Sequence, residues 1–357
     1  MKTRKINSFY KIIVLSFILC ALISYQSIIE SYFTLKNYNI ALAIKKTQII
    51  TPTENYSLLR NLLKTEDEFL KLKTISKLSS NNEKNYFLAN NALGHVQYLS
   101  ENIGSRESGN IGEKIAFNYV RNYFLFLGYQ PRVQRFHLPN GKISNNIWIV
   151  KEGRLIDQII VIGAHIDSVK NSPGANDNAS GVGILLELAR VLKEIDINPT
   201  IILIIFGAEE KIGSGKNDHH FGSRFYVSKL SDSLKSQTKG MICIDMVGVG
   251  TELYARSTEY ASLHMVERIM NTAKSKSIKI DYLKSPEWSD HEAFEKIGVP
   301  AVWLERLPDS NWHTQNDKFK NIEKKNLQQI GDLVYSFFVN YQTNKINFLY
   351  HYGIKYN

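Results

Sequence analysis

The feature that most constrains the fold is a regular exchange of short apolar runs for amphipathic stretches, which holds from residue 156 to residue 341. Residues 156–164 and 200–206 are nearly continuous apolar runs, the pattern of strands covered on both faces of a sheet. Residues 241–245, 278–283 and 299–304 read as further strands. Between them, a helix starting near Ser180 carries Ile184, Leu185, Leu188, Ala189 and Leu192 on one face. Residues 221–230, 260–275, 290–297 and 322–341 also read as helices. Upstream, Ala116, Val120, Tyr123 and Leu127 keep helical spacing, with Gly128 as a C-cap. Residues 132–138 and 146–150 read as strands. Strands alternating with helices predict an α/β fold with a mixed, mostly parallel central sheet and helices on both faces.

The N-terminal part differs. Residues 12–29 carry no charge and follow Lys2, Arg4, Lys5 and Lys11. Such a segment is an export signal or a membrane anchor, and the lack of a small-x-small cleavage site favours an uncleaved hydrophobic anchor. Residues 1–80 hold 12 Lys/Arg against 5 Asp/Glu, a surplus of +7 within a total of +10. The basic balance thus belongs beside a membrane surface, and no basic stripe with interleaved aromatics suggests nucleic acid. Cys20 and Cys243 lie in unrelated segments, so no disulfide is expected. These features divide the chain into a signal or anchor (1–35), a helical stalk or linker (36–90) and one large domain (91–345). They place that domain outside the cytoplasm, held at the cell membrane, or secreted if the segment is cleaved.

In a sheet of this kind ligands bind beyond the carboxyl ends of the strands. There the sequence sets His165-Ile166-Asp167 after one strand, Glu209-Glu210 after the next, Asp245 at the end of a third and His313 after a fourth. Imidazole nitrogens and carboxylate oxygens are zinc ligands. Two metals about 3.5–4 Å apart need a bridging carboxylate, and Asp177, in the polar loop 173–181, is the candidate. The plainer reading is that Asp177 or Asn178 caps the following helix. Asp167, two residues past His165, is placed to orient that imidazole. Neighbouring side chains diverge past a strand end, so one of Glu209 and Glu210 can bind metal while the other acts as a general base. Ser289-Asp290-His291 is a further polar cluster at a helix start, with a cap as its alternative role.

Five motifs in this order resemble the M28 family of zinc peptidases, the bacterial leucyl aminopeptidases and their relatives. They are Gly163-Ala164-His165-Ile166-Asp167-Ser168, the loop 173–181, Phe206-Gly207-Ala208-Glu209-Glu210, Ile244-Asp245-Met246-Val247-Gly248 with Ser289-Asp290-His291, and His313-Thr314. The resemblance covers about residues 92–342. It implies two zinc ions: His165 and Asp245 on one, Glu210 and His313 on the other, Asp177 bridging. It implies that Asp167 supports His165 and that Glu209 takes the proton of a zinc-activated water attacking a peptide carbonyl. Peptides are then the substrates, cut at their N-termini. The bond after the bridging Asp is often cis in this family. Two departures stand out. Trp312 replaces the usual Tyr before the last His, as in glutaminyl cyclases of the same fold, which use one zinc; glutaminyl-peptide cyclisation is therefore the alternative function. The link at 211–221 is longer than usual and holds His219-His220; it reads as a surface loop, or as one that shapes the substrate cleft.

Overall fold

A computed structural model describes the backbone of residues 86–351 and the side chains of residues 86–341. The expected anchor, the stalk over residues 36–78 and the start of the linker lie outside the described residues. Among the described residues, no helix is long and apolar enough to cross a membrane.

The elements follow the pattern of the sequence. They are α1 (Ala89–Gln97), α2 (Ile111–Phe126), β1 (Arg132–His137), β2 (Ile143–Lys151), β3 (Leu155–His165), α3 (Ser180–Lys193), β4 (Pro199–Phe206), α4 (Phe221–Ser228), α5 (Asp232–Gln237), β5 (Thr238–Ile244), β6 (Glu252–Ser257), α6 (His264–Ser275), β7 (Asp281–Lys284), α7 (His291–Glu295), β8 (Ala301–Leu307) and α8 (Lys324–His351). The sheet has eight strands in the order β1-β2-β4-β3-β5-β8-β6-β7. Its centre, β4-β3-β5-β8, is parallel throughout. β1 and β2 add antiparallel pairings on one side, and β6 joins β8 antiparallel on the other. The expected mixed α/β sheet is therefore observed.

Side-chain alternation distributes the core to both faces. Ile159 and Val161 of β3, Ile202, Ile204 and Phe206 of β4, and Met241 and Cys243 of β5 gather beneath Tyr226 and Val227 of α4 and Phe294 of α7. The intervening Ile160, Ile162, Leu203, Ile205, Ile242 and Ile244 are also fully buried. On that second face α3 lies against β3, β4 and β5, and α1, α6 and α8 complete the layer. β4 is buried along its whole length, which is why its sequence is an unbroken apolar run.

Three elements are not foreseen by periodicity. β6 reads Glu-Leu-Tyr-Ala-Arg-Ser, and its Arg256 is buried; a charged residue inside a short strand hides the alternation. α5 is amphipathic over six residues only and buries none of them. α1 carries Asn90, Asn91 and Gly94, weak helix formers that packing on α3 overrides.

Strand register sets the stage for the site. His165 pairs with Phe206, Gly163 with Cys243, and Ile244 with Leu304. The carboxyl ends of the four central strands are level, so whatever follows each is delivered to one edge. A Cβ at Gly181 would come within 2.2 Å of the Ile244 carbonyl oxygen. Only glycine lets the start of α3 approach the end of β5, and that approach carries the 173–181 loop to Asp245.

Phe206 ends β4 three residues before Glu209 and is fully buried. Phe206→Ala should destabilise the domain by about 3–5 kcal/mol through the cavity it leaves, measured as a lower urea midpoint at unchanged slope.

Candidate metal centre

Each sequence-derived ligand arrives at this edge from a different element. His165 closes β3, Glu209 and Glu210 follow β4, Asp245 follows β5, and His313 lies in the loop after β8. Asp177 comes from the turn before α3, where its own backbone and that of Asn178 are non-helical. The carboxylate of Asp177 spans the cluster: its Oδ1 is 3.2 Å from His165 Nε2, and its Oδ2 is 3.2 Å from His313 Nε2. His165 Nε2 is also 3.3 Å from Asp245 Oδ1, and His313 Nε2 is 3.1 Å from Glu210 Oε2. The five predicted ligands are thus brought together in two groups that share Asp177. The Asp177–Asn178 peptide is cis.

A second layer of contacts fixes these side chains. Asp167 lies behind His165, its Oδ1 3.5 Å from Nδ1, and accepts hydrogen bonds from the backbone N–H of Glu209 (3.1 Å) and of Glu210 (3.0 Å). Asp167 therefore holds the imidazole through its backbone carbonyl, 3.2 Å from His165 Nδ1, and positions both glutamates through its carboxylate. Asp317 does the same for the bridge, accepting from the N–H of Asn176 at 2.7 Å and of Asp177 at 3.0 Å. Ser289 Oγ donates to Asp245 Oδ2 at 2.7 Å. The side chain of Asp290, the residue before α7, makes no capping bond. Asn178 does cap, with Oδ1 accepting from Gly181 N–H at 2.9 Å, while Asp177 faces the cluster. Both readings of that loop hold, one for each residue. The backbone is left-handed at Ala208, Met246 and His313, an uncommon conformation for residues with a Cβ. These positions adjoin or carry Glu209, Asp245 and the final imidazole.

Three contributors are not readable from the motifs. Arg106 is fully buried, and its guanidinium donates to the carbonyls of Leu99, Gly104, Ile166, Pro173 and Gly174. It ties the end of β3 to the loop that carries Asp177. Asp317 sits four residues past His313 in a loop without periodicity. His220 lies in the link that reads as a surface loop or as one that shapes the substrate cleft, and Lys211, Lys216, His219 and His220 of that link do line the cleft. Residues 211–217 of that link are exposed or partly so, but His220 is 2% exposed. Its Nε2 is 2.9 Å from Glu209 Oε1 and its Nδ1 is 2.8 Å from Glu292 Oε2.

The electrostatics favour a cation at the cluster. Asp177, Glu209, Glu210 and Asp245 are all at most 7% exposed. Burial, then the neighbouring Asp177, push Glu210 up to about 8. Burial opposes the charge on His313, yet Asp177 and Glu210 hold it up at about 10. His165 is likewise buried, and Glu209 and Asp245 raise it well above its ordinary value. Glu210 Oε1 and Asp245 Oδ1 are buried and meet no hydrogen-bond donor. A buried acceptor of that kind is costly, and a metal ion would satisfy both. The donor set of two imidazoles and three carboxylates also suits zinc. Ligand-type atoms lie within reach of one common ion in three trios, His165 with Glu209 and Asp245, Asp177 with Glu210 and His313, and His219 with His220 and Glu292. In the last of these both ring nitrogens of His220 already face carboxylates, and Glu292 also holds Arg224 and Lys296. That group is an ion-pair network.

The cluster opens into a cleft of about 710 Å³. Tyr260, Trp288, Trp303, Trp312, Arg256 and Glu305 line it. Trp312 stacks on His313 with ring centres 4.1 Å apart and is half exposed. Arg256 pairs with Glu305 inside the cleft, its guanidinium over Trp303.

Fold and cluster together define an α/β protein with a carboxylate and imidazole cradle at the carboxyl edge of its sheet. Residues 146–338 match the model of Peptidase family M28, and the chain belongs to that family. It is 35% identical over 205 residues to Aminopeptidase YwaD of Bacillus subtilis (strain 168), a match that covers 54% of this chain and 43% of that relative. The chain thus spans less than half the length of that relative. Among solved structures, a zinc aminopeptidase from Bacillus subtilis superposes with a TM-score of 0.66 at 22% identity, covering 72% of this chain and 96% of that one. Porphyromonas gingivalis glutaminyl cyclase superposes at 0.63 and 23%, covering 71% and 98%. Both likenesses show the fold.

The raised imidazoles give a direct test. A group whose pKa is raised keeps its proton until pH exceeds the raised value, so at neutral pH metal must displace protons from His165 and His313. Calorimetric titration of apo protein with zinc in buffers of different ionisation enthalpy should show proton release, and affinity should fall as pH drops from 8 to 6.

Proposed function

We propose that this chain is a zinc-dependent aminopeptidase that uses two metal ions and hydrolyses peptides from their N-termini. The observation that carries the reading is the Asp177 carboxylate, which has one oxygen on each imidazole of the cluster. On this reading His165 and Asp245 would hold one zinc and Glu210 and His313 the other, with Asp177 available to both. Bound zinc would supply Lewis acidity, acidifying a water molecule and polarising the scissile carbonyl.

The protein's own groups do the remainder. Glu209 lies within the cluster with Oε2 3.9 Å from His165 Nε2, close enough to take a proton from a water in the cradle. It then returns that proton to the leaving amine. Asp167 holds Glu209 and Glu210 by their backbone N–H groups, so the base and the neighbouring ligand keep a fixed separation. Tyr260, Trp288 and Trp312 offer aromatic walls for a substrate side chain.

Trp312 favours a second reading, glutaminyl-peptide cyclisation, because it brings an indole rather than a phenol against His313. That chemistry needs one metal and no hydrolytic water. The presence of His165 and Asp245 beside a complete second trio supports hydrolysis instead. We further propose that residues 12–29 anchor the chain, that 36–90 form a stalk and that the peptidase domain of residues 91–345 lies outside the cytoplasm.

The purified chain, incubated with aminoacyl anilides and with a peptide beginning in Gln, should release the aniline and cleave the peptide, and lose both activities to chelator. Cyclised peptide without hydrolysis would sink the aminopeptidase reading. Glu209→Gln should lower turnover by about 10²–10⁴-fold with zinc content by elemental analysis unchanged.

A further inference from the structure

We propose that His220 is a positioning residue for Glu209: its buried imidazole, braced from behind by Glu292, holds one oxygen of that carboxylate so that the other faces the metal cradle. The inference rests on the reading of Glu209 as the proton acceptor.

Four observations support it. First, His220 is joined to Glu209 twice, through Nε2 to Oε1 at 2.9 Å and through its backbone N–H, which donates to the Glu209 carbonyl at 2.8 Å. The neighbouring Phe221 N–H donates to the Ala208 carbonyl at 2.9 Å. The long link at 211–221 therefore folds back onto the Glu pair and delivers one side chain to it.

Second, the ring is oriented from the far side. Nδ1 is 2.8 Å from Glu292 Oε2, and Glu292 is fully buried. Arg224 at 3.1 Å and Lys296 also contact that carboxylate. Two cations keep Glu292 an acceptor, so Nδ1 carries a hydrogen and the ring cannot rotate without breaking that bond.

Third, the two oxygens of Glu209 are divided. Oε1 faces His220, and Oε2 faces His165 at 3.9 Å. A free glutamate would spread over several rotamers. One fixed oxygen leaves the other a single direction, toward the place where a water would lie between the ligands.

Fourth, the backbone at His220 is left-handed, with φ of 55°. Histidine bears strain there that glycine would not. No cap or turn hydrogen bond requires an imidazole at this position, and the residue before it, His219, instead turns to the Lys216 carbonyl at 2.8 Å. The strain is retained where the ring meets the base.

The left-handed backbone also supplies the test. His220→Gly suits the local conformation and leaves a hole of imidazole shape. In the full chain loaded with zinc, His220→Gly should lower kcat by about 10–100-fold, the range for groups that orient a reacting side chain. KM and zinc content should stay as in the parent, and added imidazole should restore part of the rate. His220→Gln keeps an N–H toward Glu209 and should lose less. A separate measurement does not depend on turnover: with ¹⁵N-histidine labelling, the His220 ring signals, assigned by their loss in His220→Gln, should shift in Glu209→Gln and in Glu292→Gln.

Unchanged kcat in both His220 variants, or ring signals unmoved in Glu209→Gln, would overturn the proposal. So would a loss of rate matched by an equal loss of zinc, which is the mark of a merely structural role. If His220→Gly does not fold, Glu292→Gln carries the kinetic arm with the same expectation. An inactive parent protein would count against the aminopeptidase reading alone, and the ring signals would still decide whether His220 holds Glu209.

Discussion

The constraint on which this structure depends is the burial of like charges. Asp177, Glu209, Glu210 and Asp245 sit within one cleft and are all nearly inaccessible. Carboxylates so placed repel one another and forgo hydration, a combination that a fold tolerates only with compensating positive charge or hydrogen-bond donors. The donors come from the backbone and from neighbours. Ser289 serves Asp245, while His165 and His313 serve Asp177. What remains unserved, Glu210 Oε1 and Asp245 Oδ1, falls one in each of the two groups of ligand-type side chains. The unmet demand is therefore spread across the cradle.

The sheet could not have produced this alone. Level strand ends deliver the residues to one edge, but a strand end is the point at which the backbone loses its ladder partners. Asp167 and Asp317 act there as substitutes for the missing strand, each accepting two consecutive or adjacent N–H groups. Arg106 plays the complementary role, donating to five carbonyls of segments that would otherwise be free of the sheet. The ligand-type side chains are thereby held by hydrogen bonds from the protein itself.

The fold and the convergence of the five candidate ligands are legible because two simple signals coincide. Apolar runs such as residues 200–206 announce buried strands, and a polar residue placed directly after such a run has few roles other than at the sheet edge. His165, Glu210 and Asp245 are read in that way. His313 and Asp177 lie in loops, and it is the motif order that places them. The less legible residues lack either signal. Arg106 lies in a polar stretch that resembles any surface loop, and its burial follows from contacts with segments about 60 residues away. β6 is obscured by Arg256, whose charge is balanced by Glu305 on the neighbouring strand. In both cases a long-range partner reverses what composition suggests locally.

The link at 211–221 shows the same reversal within a few residues. Its exposed part, with Lys211, Gly213, Gly215 and Lys216, has the composition of a solvated loop and is one. Its last turn differs because His220 finds a carboxylate on each side. Burial would strip the ring of its charge, yet Glu209 and Glu292 hold its pKa up at about 10. A buried imidazolium between two carboxylates is stable only while both are present, and one of them belongs to α7, a helix packed beneath the cleft. The extended link and the short helix are therefore coupled through a single ring. The link at the sheet edge thus reaches the cluster through His220, and Glu292 connects α7, on the face it shares with α4, to Glu209, the side chain that the motifs give no place among the metal ligands.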